Sequence, residues 1–311
     1  MDEGSVREDS MSTPQRYFPS AATRVSVVAL IASVLGLSPW VIGQDRAKLQ
    51  RPVMMDSNGP GTDLFVLDES GILHKFHVMQ NSLQEFGRAP LPAEFTPADM
   101  AFAAAEGQDS LLIAGTEAGH GALVRYSIDG VALHTWTFRN ICSGIDFSTA
   151  KHSAYVATSD SNEIYRVDLT KPQPVFVTRI SEATKLGPVA LDEGHQQFFV
   201  ADVASGKIYQ YSLAGKNSKV LAAGLSAPTA LAFDAESNRL FVADPGRGGV
   251  FTVDTKAATS APIEFAPGML KSPYGITLIS GSRVAVADYG ANRAVVLSVK
   301  GDALFRFPAT D

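Results

Sequence analysis

Short apolar runs, each closed by a turn rich in Asp, Gly and Ser, recur along the chain from Leu64 onward. The clearest is Leu240–Val253, LFVADPGRGGVFTV. Leu240–Ala243 is apolar at every position and too short for a helix, which reads as a strand buried on both faces. Asp244 follows, with a carboxylate placed to accept N–H bonds from the turn ahead. Pro245, Gly246, Gly248 and Gly249 supply the turn, and Val250–Val253 resumes an extended run.

The same phrase stands at Leu64–Phe76, Leu111–Tyr126, Ala154–Val167, Phe198–Tyr211 and Val284–Leu297. The residues closing the first strand of each copy are Asp68, Gly115, Thr158, Asp202, Asp244 and Asp288. They recur at a period of about 44 residues, in the range of propeller or solenoid repeats. A further strand precedes each copy: Pro52–Asp56, Pro97–Phe102, Ser143–Phe147, Pro188–Leu191, Pro228–Phe233 and Pro273–Leu278. Proline suits the first residue of such a strand, where no N–H is required. Another follows each: Leu83–Phe86, Leu133–Phe138, Val175–Val177, Lys219–Ala222, Ile263–Phe265 and Ala303–Phe307. Four short strands per repeat make a propeller blade. The expectation is an all-β fold, a six-bladed β-propeller of four-stranded antiparallel blades over residues 51–309. The first blade begins with its innermost strand and the last ends with its outermost. The ring is therefore expected to close by packing, without a swapped strand.

Ahead of the repeats, residues 1–24 are polar and expected to be disordered. Val25–Ile42 carries no charge and would span about 27 Å as a helix, with Arg16 and Arg24 before it. Residues 25–43 read as a hydrophobic signal or membrane-anchor helix, and 44–50 as a linker. The propeller is then exported, to a periplasmic, extracellular or membrane-anchored location, and touches membrane only through 25–42 if these remain uncleaved.

Composition narrows the partners. The formal net charge of −6 disfavours nonspecific binding to nucleic acid. Cys142 is the single cysteine, which excludes an intrachain disulfide and a Cys-based metal cluster. The chain reads as a monomer without a cofactor, taking a protein or small-molecule ligand.

The stretch VADYGANRAVVLSVKG, with PYGITL ahead of it, resembles the NHL repeat, and FVADVASGKIYQYSL and FVADPGRGGVFTVD are similar. Asn292 and Arg293 stand where that repeat has its Asn-Arg pair. The resemblance spans about Arg51–Pro308 and is best in copies four to six. Glu69, Gly115 and Thr158 depart from its Ala-Asp pattern. It implies a six-bladed propeller, a fold and not a chemistry; propellers of that family include scaffolds that bind protein or RNA. Related propellers include lactonases and lyases, and the lactonases hold a channel metal through a first-blade Glu and later Asn and Asp residues. Here the first inner strand, RPVMMD, has no Glu, and Pro273-Tyr274-Gly275 replaces their Pro-Asn-Gly.

Inner-strand Asp56, Asp99, Asp146 and Asp192 would ring a cation if all faced the channel, and otherwise cap turns. His74 and His77 lie three apart on a strand and so point to opposite faces. His120 sits in the longest of the six turns and is the best-placed histidine for a ligand. No nucleophile elbow, phosphate loop or zinc-protease motif appears. Asp202, Asp244 and Asp288 recur in phase, which assigns them a shared structural job at their turns. The turns themselves differ between copies, and variable loops on a rigid scaffold carry binding. Tyr274, Arg247, Tyr289 and Arg293, from adjacent blades, are expected to form an aromatic-plus-arginine patch. The reading is a binding or scaffold module acting through one propeller face. The alternative is a metal-dependent hydrolase or lyase working at the central channel.

Overall fold

Six sheets, each of four consecutive antiparallel strands, follow one another in a computed structural model that describes residues 49–308. Blade 1 is β1 (Pro52–Ser57), β2 (Asp63–Asp68), β3 (Ile72–Val78) and β4 (Leu83–Pro90). Blade 2 is β5 (Phe95–Ala105), β6 (Gln108–Glu117), β7 (His120–Ser127) and β8 (Ala132–Phe138). Blade 3 is β9 (Cys142–Ser148), β10 (Ser153–Thr158), β11 (Glu163–Asp168) and β12 (Val175–Arg179). Blade 4 is β13 (Leu186–Asp192), β14 (Gln197–Asp202), β15 (Lys207–Ser212) and β16 (Lys219–Ala222). Blade 5 is β17 (Ala230–Asp234), β18 (Arg239–Asp244), β19 (Gly249–Asp254) and β20 (Ile263–Phe265). Blade 6 is β21 (Pro273–Ile279), β22 (Arg283–Asp288), β23 (Arg293–Ser298) and β24 (Ala303–Phe307). The apolar segment 25–42, the polar leader and most of the linker lie outside the described residues. Among the described residues no helix is long and apolar enough to cross a membrane.

The second strand of each blade explains why the repeat is apolar at every position. Successive side chains of a strand point to opposite faces. In β14, Phe198 and Val200 pack with Tyr155 and Ile164 of blade 3, whereas Phe199 and Ala201 pack with Leu240 and Val242 of blade 5. Each blade interface has its own core cluster of this kind, and the six together make the ring. Solvent exposure returns on the outer strands, where even Val175 and Val220 are exposed.

Five inner strands carry a register shift at their entrance, between Pro52 and Met54, Pro97 and Asp99, Cys142 and Gly144, Leu186 and Val189, and Pro273 and Gly275, and all but the third have a proline at the shift. A proline there has no N–H to place in the ladder, and a bulge accommodates it. Strands β1 and β24 do not pair with each other: β1 bonds to β2 and β24 to β23. The ring closes instead through a core of Leu64, Val66 and Phe76 from blade 1 with Ile279, Ala285 and Val296 from blade 6. Ser57 Oγ donates to Leu278 O at 2.6 Å across this seam, and Thr277 Oγ1 donates to Asp56 Oδ1 at 2.8 Å.

Candidate functional site

The aspartates that end the second strands are fully buried and hold two loops together. Asp244 accepts the amides of Ser226 at 2.7 Å, Ala227 at 2.9 Å and Arg247 at 3.2 Å. Asp202 accepts Thr184 and Lys185 from its own entry loop, then Ala204, Ser205 and the Ser205 hydroxyl from its turn. Asp288 accepts Lys271 and Ser272 and pairs with Arg293 Nε at 2.9 Å. Each carboxylate thus ties the loop entering the inner strand to the turn beyond the second strand, on what we call the entry face. Blade 3 obtains the same tie from Asp160, whose Oδ1 accepts Ile141 N at 2.9 Å, because Thr158 is occupied with Ser161 and Glu163.

Blade 2 has Gly115 in place of the aspartate, and its strands run on. A Cβ at Gly115 would lie 2.2 Å from Thr96 O, so glycine alone lets β5 and β6 stay paired out to Phe95↔Glu117. The long turn expected over Thr116–Gly121 is therefore mostly strand. Only Ala118 and Gly119 remain as a turn, both at positive φ. The extended hairpin projects from the entry face with His120 at its tip.

On the inner wall of the ring, Asp56, Asp99 and Asp146 have a use that neither the cation ring nor the turn cap anticipates. Asp56 Oδ2 accepts Phe102 N at 2.6 Å, Asp99 Oδ2 accepts Ile145 N at 2.9 Å, and Asp146 Oδ2 accepts Leu191 N at 2.7 Å. Every one of these amides belongs to the inner strand of the following blade. The inner edge of a blade is an open sheet edge, and the carboxylates satisfy its N–H groups. The second oxygens accept the amides of Ser57, Met100 and Phe147. Asp192 caps its own hairpin, accepting His195 N at 3.0 Å and Gln197 Nε2 at 2.7 Å.

Burial raises all three bridging carboxyls. Asp99 is pushed up to about 8 by burial, with the charges of Asp146 and Asp56 adding to it against the amides of Ile145 and Met100. Asp146 is pushed up to about 7 by burial and then by Asp56. Asp56 rises by burial, moderated by its bonds to Phe102, Thr277 and Ser57. A divalent cation needs several oxygens converging on one point. These oxygens diverge toward successive strands, and among the described residues no three His, Cys, Asp or Glu side chains are disposed to hold a metal ion. The residues do not fit the channel metal that the resemblance to propeller lactonases would imply.

Of the expected aromatic-plus-arginine patch, the structure brings together Tyr274 and Tyr289, with ring centroids 4.7 Å apart. The Arg247 and Arg293 guanidiniums are engaged with other groups. Arg247 lies 4.0 Å over the Phe251 ring and donates to Gly224 O, and Arg293 is held by Asp288 and Met269 O. Their guanidiniums brace their own turns. Arg51 takes the place expected for them, 5.3 Å over the Tyr289 ring, with Nη1 donating to the Tyr289 hydroxyl and to Glu69 Oε2 at 3.2 Å. Tyr289 donates in turn to Glu69 Oε1 at 3.1 Å. Sequence reasoning missed Arg51 because it belongs to blade 1 while the tyrosines belong to blade 6, and only ring closure makes them neighbours. Glu69 was legible only as a departure from the Ala-Asp pattern.

The remaining candidates separate. His74 is buried between Asp68 Oδ2 at 3.2 Å and Glu85 Oε1 at 2.7 Å. Burial alone would lower it, but the two carboxylates outweigh that and raise it. His77 is exposed, stacked on Phe86 at 3.8 Å. Cys142 is a buried thiol that burial pushes up.

Residues 93–245, from the entrance of blade 2 through the second strand of blade 5, match the family model of the SMP-30/Gluconolactonase/LRE-like region. No curated protein matches the sequence. Among solved structures, a chain of a nidogen/laminin complex is similar at 16% identity and a TM-score of 0.64, over 79% of this chain and 92% of that one. A streptogramin B lyase is similar at 11% identity and a TM-score of 0.60, over 86% and 85%. A structural genomics protein of unknown function from Bacteroides thetaiotaomicron gives 12% and 0.61, over 83% and 69%. These likenesses show the fold.

Proposed function

Starting from a six-bladed β-propeller of the gluconolactonase/NHL type, we propose that this chain is a binding module. It engages a protein partner through the entry face, with Tyr274, Tyr289 and Arg51 as the anchor. The observation that carries this reading is the braced cluster at the seam of blades 6 and 1. Two tyrosines, an arginine and Glu69 hold one another in place beside the start of an inner strand. Tyrosine and arginine dominate interaction hot spots, and a cluster already ordered loses little side-chain entropy on binding. The structural neighbour described as a nidogen/laminin complex supports protein binding by this fold. The propeller acts outside the cytoplasm, carried there by segment 25–42.

A second reading is a metal-dependent, lactonase-like enzyme working at the channel, and the family match over 93–245 favours it. The engagement of Asp56, Asp99 and Asp146 with neighbouring amides counts against it.

The test is comparative capture from extracellular fractions with the full chain and with the Tyr274→Ala/Tyr289→Ala variant. At least one protein held by the wild-type chain should fall about ten-fold or more in recovery, the effect of losing about 1.4 kcal/mol. Identical recovery by both chains, with both folded, would overturn the proposal.

A further inference from the structure

A surface cleft of about 720 Å³ opens on blade 2, its walls include Glu94, Glu117, His120, Thr137 and Arg139, and it shares no lining residue with the Tyr274–Tyr289 cluster. Its layout follows from the extended hairpin. Residues directly opposite each other on paired strands share a sheet face. Glu117 pairs with His120, and Gly121 pairs with Phe138, so Arg139 comes opposite His120. The three make a row across β6, β7 and the end of β8, negative at one end and positive at the other. At about 4.8 Å per strand the backbone ends of that row lie about 10 Å apart. The next row on the same face is Gly115, Ala122 and Thr137, residues small enough to leave a floor beneath the charged rim. Glu94 adds a second carboxylate beside Phe95, which pairs with Glu117.

The four ionisable side chains differ from the other charges discussed on the entry face. Arg51, Glu69, Glu163, Arg247 and Arg293 are all held by protein partners. Among the described residues, the side chains of Glu94, Glu117, His120 and Arg139 make no hydrogen bond or ion pair. Both signs of charge therefore line one concavity with their bonding capacity open.

We propose that this cleft binds a zwitterion, a short peptide or amino acid. Its ammonium group lies between Glu94 and Glu117, and its carboxylate lies on Arg139. The guanidinium fork suits a carboxylate bidentately, and an ammonium donates three hydrogen bonds that two carboxylates accept. His120, between the two ends, contacts the ligand backbone as donor or acceptor. This site is separate from the seam cluster and does not depend on it.

Calorimetric titration of the full chain with the dipeptide Lys-Glu tests the assignment, with n-butylamine and butyrate as single-charge probes. Saturable dipeptide binding with a Kd of about 1 mM or tighter is expected, and at least about ten-fold weaker binding of either single-charge probe. Arg139→Gln and Glu117→Gln should each weaken the dipeptide about ten-fold and leave the melting temperature unchanged, since both residues are exposed. Tyr289→Ala should leave the dipeptide affinity unchanged. Absence of saturation at about 10 mM dipeptide, or affinity indifferent to Arg139→Gln and Glu117→Gln, would overturn the site.

Discussion

Asp99 carries the sharpest residue-level consequence. Its folded carboxyl sits at about 8 and that of Asp146 at about 7, both raised first by burial. A carboxyl raised in the folded state stabilises fully below its unfolded value of about 4, and that contribution is lost as pH climbs through the folded value. His74, raised by Asp68 and Glu85, contributes fully below about 6.5 and fades above its folded value. Asp68 and Asp202 are lowered, because hydrogen bonds outweigh burial, and they act with the opposite sign. Their contribution is complete above about 4 and lost as pH falls below it. The melting temperature should therefore peak near about pH 4 and decline from there to about pH 8. Asp99→Asn should flatten that decline. A melting temperature that rises over about pH 6 to 8.5, or a variant with an unchanged slope, would contradict the assignment.

At the scale of elements, the sequence is read well wherever a repeat is intact. The outer strands Lys219–Ala222, Ile263–Phe265 and Ala303–Phe307 fall on β16, β20 and β24 without adjustment. Blade 2 departs because one residue changes the rule. Without an aspartate at position 115 the entry loop has no carboxylate to hold it, and pairing continues past Phe95 instead. Close backbone approaches were not legible, since they join residues far apart in sequence. Gly144 is the clearest. A Cβ there would stand 2.0 Å from Gly187 O on the neighbouring inner strand, and neither backbone has room to give. Gly144→Ala should cost roughly 2–4 kcal/mol in chemical unfolding. Gly194→Ala is the control, because its Cβ would meet Asp192 Oδ1 at an ordinary 3.5 Å. Equal stability of the two variants would show that the inner strands are free to separate.

For the whole molecule, closure without a swapped strand places the blade 1–blade 6 seam under packing and a few bonds alone. Phe76 meets Phe307 edge-on at 4.7 Å, Ser280 N donates to Gly61 O at 3.0 Å, and Arg51 N donates to Asn292 Oδ1 at 3.1 Å. That seam also assembles the Arg51–Tyr289 cluster, so ring closure and the proposed binding surface share residues. The ring and its order were visible in the period and the strand phase. The composition of the site was visible only in part, because a propeller's sites are built between blades and a linear repeat does not show which loops become neighbours.

With the bridging aspartates acting as structural acceptors, function lies at the surface and not in the channel. The most direct measurement is turnover of a lactone panel by the full chain, with and without added Ca²⁺, Mn²⁺ or Zn²⁺. Hydrolysis at the buffer rate is expected in every condition, with Asp99→Asn indistinguishable from wild type. Metal-stimulated turnover that Asp99→Asn abolishes would contradict it and place an enzyme in the channel.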